Sequence, residues 1–147
     1  MILCDVNVLL YAHREDSPHH ALCRRCMESL LSSPSGYGVS DAILASLVRI
    51  ATHPRIFEPP SPLDEALAFA EQIRDQPNAV PITPGNRHWG IFTNLCRKTG
   101  ARGNLVADAW LAALAIESGC TWFSTDRDFA RFPGLDWRSP LDEREGA

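Results

Sequence analysis

The chain has 147 residues, 45% of them hydrophobic and 22% charged, and a formal net charge of −4. That length suits one domain burying about two-thirds of its unfolded surface, and that composition excludes a disordered or fibrous chain. The negative charge excludes a protein that coats nucleic acid by general phosphate neutralisation, and the AWLAALAI run is far short of the ~20 apolar residues of a membrane span.

The chain opens on an apolar run with no basic leader and no small-residue cleavage site, so a cytoplasmic protein with no membrane contact is expected. ILCD (2–5) reads as a strand, and VNVLLYAHR after it as a helix, with Val6, Leu9, Leu10 and Ala12 at helical spacing. Ser17-Pro18 predicts a second helix to about Leu31, stopped by SSPSG. GYGVS (36–40) predicts the next strand, and Asp41 to about Thr52 a helix that His53-Pro54 ends. After the proline-rich FEPPSP, Ser61-Pro62 opens a helix carrying Leu63, Ala66, Leu67 and Ala70. NAVPITP (78–84) predicts an edge strand, because Pro81 cannot donate to a ladder. Helices are predicted from Asn86 to about Thr99 and from Asn104 to about Ser118, then a strand TWFST (121–125), a short helix DRDFARF and a last strand LDW (135–137). Residues 139–147 read as a flexible acidic tail. Strands alternating with helices indicate a single α/β domain over 1–147 with a mostly parallel sheet.

Three aspartates stand where apolar segments would otherwise run on: Asp5 after the first strand, Asp108 in NLVADAWLAALAI, and Asp126 after TWFST. An ionised carboxylate in an apolar setting costs several kcal/mol, roughly, unless it is paired, hydrogen-bonded or bound to a cation. In open parallel sheets sites form beyond the carboxyl ends of strands, which sends Asp5 and Asp126 to one crevice. Asn104 and Asp108 are four apart, on one side of an otherwise apolar helix. Two or three carboxylates suit Mg²⁺ or Mn²⁺, hard cations that keep water, and a metal so held activates water against a phosphodiester.

MILCDVNVLLYA, GNLVADAWLAALAIESG and TWFSTDRDFARFPGL together resemble the PIN domain, specifically the VapC-type ribonuclease toxins of bacterial toxin–antitoxin pairs. The order of segments agrees over essentially the whole chain. The resemblance implies a PIN-like three-layer α/β/α fold and Mg²⁺-dependent endoribonuclease activity, with Mn²⁺ able to substitute, often on tRNA or rRNA. Products would carry a 5′-phosphate and a 3′-hydroxyl. It further implies a homodimer, and a VapB-type antitoxin that inserts an arginine among the acids. Carried over by position, Asp5, Asp108 and Asp126 are the catalytic and metal-binding residues and Asn7 hydrogen-bonds near the metal; Asp128, Thr125 and, from its place beside Asp108, Asn104 are further supporting candidates. Asp128 also suits the positive end of a helix starting at Thr125-Asp126.

The chain departs from that pattern at one point. Where the family commonly carries a glutamate on the helix after its second strand, this chain has Ser46; Asp41 is the nearest acid that could compensate. The alternative reading is therefore a catalytically impaired PIN-like protein that binds RNA or antitoxin. A haloacid-dehalogenase-like phosphatase is disfavoured, because Asn7 stands where a second aspartate is needed and the single lysine, Lys98, lies in CRKTG. A zinc module at His19, His20, Cys23 and Cys26 is disfavoured because their spacing is that of a packed stripe. Thirteen of the fourteen cations are arginine, a bias that GC-rich coding also produces. Arg14, Arg24, Arg25, Arg49, Arg87, Arg97, Arg102 and Arg127 are candidates for the cleft rim, and Trp89, Phe92 and Trp110 for base stacking, although Trp110 reads as core.

Overall fold

The protein's computed structural model describes residues 1–142. Five strands, β1 (Ile2–Cys4), β2 (Tyr37–Val39), β3 (Ala79–Pro81), β4 (Thr121–Phe123) and β5 (Trp137–Arg138), form one sheet in the order β3-β2-β1-β4-β5. Every pairing is parallel, so the sheet is wholly rather than mostly parallel. Pro81 does end an edge strand. The helices are α1 (Val6–His13), α2 (His20–Leu31), α3 (Asp41–Ala51), α4 (Leu63–Arg74), α5 (His88–Thr99) and α6 (Asn104–Ser118), with a 3-10 helix at Arg127–Arg131. α1 packs on α2 and α3, α3 packs on α4, and α5 and α6 pair as an antiparallel hairpin with α6 against β4. The architecture is the expected three-layer α/β/α.

The core is continuous across these layers. Leu3, Val8, Leu47, Leu95, Leu114 and Trp122 are fully buried, and burying each such side chain stabilises the fold by about 1.5–3 kcal/mol. Strand order turns back at β1, whose chain neighbours β2 and β3 lie to one side and β4 and β5 to the other. That switch point opens a crevice beyond the carboxyl ends of β1 and β4, where Asp5 and Ser124 emerge. Gly100 and Gly119 end α5 and α6 in the left-handed region, at φ 64° and 71°, which glycine adopts without a Cβ clash.

Several expected boundaries move because long-range partners claim the capping groups. Ser17 does not cap α2; its hydroxyl donates to the carbonyls of Tyr11 and Arg14 and closes the α1–α2 turn, and the helix starts at His20. Ser61 is buried, meeting His13 Nε2 at 3.0 Å and accepting from Arg14 Nη1 at 3.2 Å, which leaves Pro62 to cap α4. α5 starts two residues late because Gly85 and Arg87 N–H donate to the Glu117 carboxylate, at 2.6 and 2.8 Å. β5 is shifted to Trp137–Arg138, where Trp137 Nε1 donates to the Ser124 carbonyl.

The tail expected from residue 139 is also corrected at its start. Ser139 and Pro140 are buried and Arg127 Nη2 donates to Asp142 at 3.0 Å, while 143–147 lie outside the described residues. The His19–Cys26 stripe packs: Cys23 is wholly buried, His20 Nδ1 meets the Tyr11 carbonyl at 2.8 Å, and His19 stands edge-on to the Tyr11 ring. Among the described residues no helix is long and apolar enough to cross a membrane.

Candidate active site

Asp5 follows β1 and caps α1. Its Oδ1 accepts from the Val6 N–H at 2.7 Å, and its own N–H donates to the Phe123 carbonyl, tying the turn to β4. Its Oδ2 accepts from Ser124 Oγ at 2.7 Å and from Asn7 Nδ2 at 3.3 Å. Ser124 is wholly buried and also accepts from Asn7 Nδ2 and the Asp126 N–H, so one hydroxyl links Asp5, Asn7 and the start of the 3-10 helix. Asn7 Oδ1 accepts from the Thr125 N–H. Thr125 thus contributes its backbone, and the neighbouring Ser124, absent from the sequence-derived set, supplies the hydroxyl. The sequence offered two adjacent hydroxyls at the end of a strand, and only the pleat of β4 decides which turns inward.

Asp126 caps the 3-10 helix, its Oδ1 accepting from the Asp128 N–H at 2.9 Å. Asp128 is exposed in that helix's first turn, with Arg131 4.0 Å away. Asp108 lies in the second turn of α6 and is half-buried, with no hydrogen bond or ion pair to its carboxylate among the described residues. Asn104, the first residue of α6, is exposed.

Electrostatics bind these acids into one group. Burial, opposed by the Ser124 and Val6 hydrogen bonds and assisted by the charges of Asp108 and Asp126, pushes the Asp5 carboxyl up to about 6. Burial, and then the charges of Asp126 and Asp128, push Asp108 up to about 6 as well. Among the described residues both acids lack a compensating cation, and that is the setting in which like charges raise a carboxyl. Among the described residues, no three His, Cys, Asp or Glu side chains are grouped to hold a metal by themselves. The donor chemistry fits a hard cation that keeps most of its water and takes one or two carboxylates; it does not form a closed ligand cage.

A cleft of about 270 Å³ opens beside Asp5, walled by Val6, Ala42, Ile43, Ala107, Trp110 and Leu111. Trp110, read as core from the sequence, is half-buried in this wall. Ser46 lines the same cleft, its hydroxyl donating to the Ala42 carbonyl at 3.1 Å. Asp41 does not compensate for it: its carboxylate is at the surface, 2.8 Å from Arg74 Nε. Of the candidate rim arginines, Arg14 is held by Asp16 and the Pro59 carbonyl over the Phe57 ring, Arg24 pairs with Glu28, and Arg127 with Asp142.

The PIN domain family model matches residues 2–135, from the first strand to the segment before β5. The chain belongs to the PIN domain family. It is 43% identical over 142 residues to the VapC ribonuclease Mb2897 of Mycobacterium bovis, covering 97% of each chain. It is 46% identical over 135 residues to ribonuclease VapC25 of Mycobacterium tuberculosis, covering 92% of this chain and 95% of the relative. At 17% identity two solved structures share its fold: VapBC2 from Rickettsia felis bound to a DNA fragment from its promoter, with a TM-score of 0.66 and 95% of this chain covered, and Mycobacterium tuberculosis VapC20, a sarcin-ricin loop cleaving toxin, with a TM-score of 0.63 and 92% covered. The alignments cover 98% of each of those chains, so this PIN domain matches them nearly end to end.

Proposed function

We propose that this PIN domain protein is the endoribonuclease toxin of a toxin–antitoxin pair, cutting RNA with Mg²⁺, or Mn²⁺ in its place, and restrained by a VapB-type antitoxin. The observation that carries the reading is the Asp5–Asp108 pair: two carboxyls raised to about 6 at the sheet's switch point, with no cation of the described residues against either. The relatives named VapC ribonucleases, alike over nearly the whole chain, support the reaction class. The VapBC2 structure supports an antitoxin partner. Asp5 and Asp108 would hold the metal, and Asp126 adds negative charge beside them. When bound, such a cation neutralises phosphate charge and lowers the pKa of a bound water. Asn7 and Ser124 hold the Asp5 carboxylate in one orientation, and Val6, Ile43, Trp110 and Leu111 form an apolar wall beside it.

Ser46 in that wall favours a second reading, a PIN domain that binds RNA or antitoxin without cutting. Incubating total RNA with the protein in Mg²⁺, in Mn²⁺ and in chelator separates the two. Metal-dependent fragments ending in 5′-phosphate and 3′-hydroxyl are expected. Intact RNA under all three conditions, with wild-type folding verified, would leave only the binding reading. Growth arrest on expression of this chain alone, relieved by the cognate antitoxin, is the expected result in cells.

A further inference from the structure

We infer that α5, with the loop joining it to α6, is the surface that grips the RNA backbone, and that Trp89 is its platform for an unpaired base. The inference rests on the ribonuclease reading and names where its substrate lies.

Charge is segregated along this chain. Between Asp75 and Asp108 there is no acid, while Arg87, Arg97, Lys98 and Arg102 fall in that stretch, so the rest of the protein carries a net −8 against −4 for the whole. All four cations are exposed, and none is in an ion pair among the described residues. Among the other described arginines, Arg14, Arg24, Arg74, Arg127, Arg131 and Arg138 each face a carboxylate within 4.0 Å, while Arg25, Arg49 and Arg55, on other parts of the chain, are in no ion pair. Four unpaired cations with no acid between them keep the positive potential of this stretch available to phosphates.

The stretch is also in the right place. Arg97 and Lys98 occupy the last turn of α5, Arg102 follows in the reversal after Gly100, and Asp108 lies in the second turn of the helix that this reversal starts. At the other end of α5, His88 Nε2 meets the Trp110 carbonyl at 3.0 Å and its ring packs on the Trp110 indole. Trp110 lines the cleft beside Asp5, so α5 packs along the helix that carries both Asp108 and this cleft wall. Next to His88, Trp89 is 69% exposed, backed by the Phe92 ring at 5.3 Å.

An indole usually buries about 150–250 Å², and this one is left in water beside cations. Unpaired bases stack on such rings while cations track the backbone. A second copy of this chain suits the face less well, because a twofold contact through α5 sets its cations against themselves.

The test is fluorescence anisotropy with a labelled RNA hairpin bearing an unpaired loop of roughly ten nucleotides, titrated in chelator against Asp5→Asn protein so that the RNA stays whole. Arg97→Gln/Lys98→Gln/Arg102→Gln is expected to weaken binding by about 10- to 100-fold at 0.1 M salt and to reduce the slope of log affinity against log salt by about 2. Trp89→Ala is expected to weaken binding about tenfold with the slope unchanged. Arg55→Gln, exposed in the turn after α3, should stay within about twofold of the parent. Parent-like affinity and slope in both α5 variants, with RNA still cut by the unmutated protein, would overturn this inference and leave the ribonuclease reading standing. Loss of antitoxin binding alone would overturn it too. An unmutated protein that neither binds nor cuts RNA would overturn both.

Discussion

Asp16 and Asp41 sit at the surface, each within 2.9 Å of an arginine side chain, and the hydrogen bond from Arg14 or Arg74 holds each carboxyl below its ordinary value. Asp5 and Asp108, the same residue type in the same chain, are pushed up to about 6 first by burial and then by neighbouring acids, Asp108 and Asp126 for Asp5, Asp126 and Asp128 for Asp108. A chain with thirteen arginines places several against surface acids, where pairs contribute little to stability, and among the described residues none against Asp5 or Asp108, where a pair would count for most. The cleft therefore holds negative charge that the fold itself does not neutralise. The difference shows where a cation from outside is wanted.

The sharpest way to break this contrast is to remove charge from each side. Asp5→Asn and Asp108→Asn are each expected to lower metal-dependent RNA cleavage by about a thousandfold or more, since several kcal/mol of charge stabilisation are lost at ~1.4 kcal/mol per decade. Full activity in either variant would refute that residue's assignment. Ser124→Ala should cost about 10- to 100-fold, as loss of a hydrogen bond that orients a metal-binding carboxylate does. Because the Ser124 hydrogen bond lowers the Asp5 carboxyl, its loss should also shift the acid limb of the pH–rate profile upward; an unmoved limb would reduce Ser124 to packing.

Stability should follow the same division. A carboxyl raised in the folded state contributes stability that is full below its unfolded value of about 3.8 and is lost as pH rises through about 6. Metal-free protein is therefore expected to become less stable between about pH 4 and 7, and Asp5→Asn to flatten that decline and gain about 2 kcal/mol at pH 8, roughly 6 °C in Tm. Mg²⁺ at about a hundred times its Kd should restore up to about 2.7 kcal/mol at pH 8, and much less at pH 4.5, where Asp5 and Asp108 hold protons. A decline of the same steepness in Asp5→Asn would place the titration elsewhere. The smallest effect belongs to the surface pair: Asp41→Asn is expected to leave cleavage unchanged and Tm close to the wild type, and a marked loss of activity would reinstate Asp41 as a substitute for the acid absent at Ser46.

The sequence by itself determined the order of strands and helices, the parallel sheet and the three acids, because apolar periodicity, proline positions and a charge inside an apolar run are local properties of the chain. It also located Ser46 in what proves to be the cleft wall, where a side chain from α3 comes to face Asp5. Only the tertiary structure decided which partner each polar group takes. Ser17, Ser61 and Glu117 look like ordinary cap and surface residues, yet each is claimed by backbone or side chains from another element. Ser124 rather than Thr125 orients Asp5 because β4 is pinned beside β1, with Phe123 opposite Cys4. The raised carboxyls of Asp5 and Asp108 were likewise not legible in the chain, since desolvation and repulsion between acids exist only once the end of β1, α6 and the 3-10 helix share one crevice.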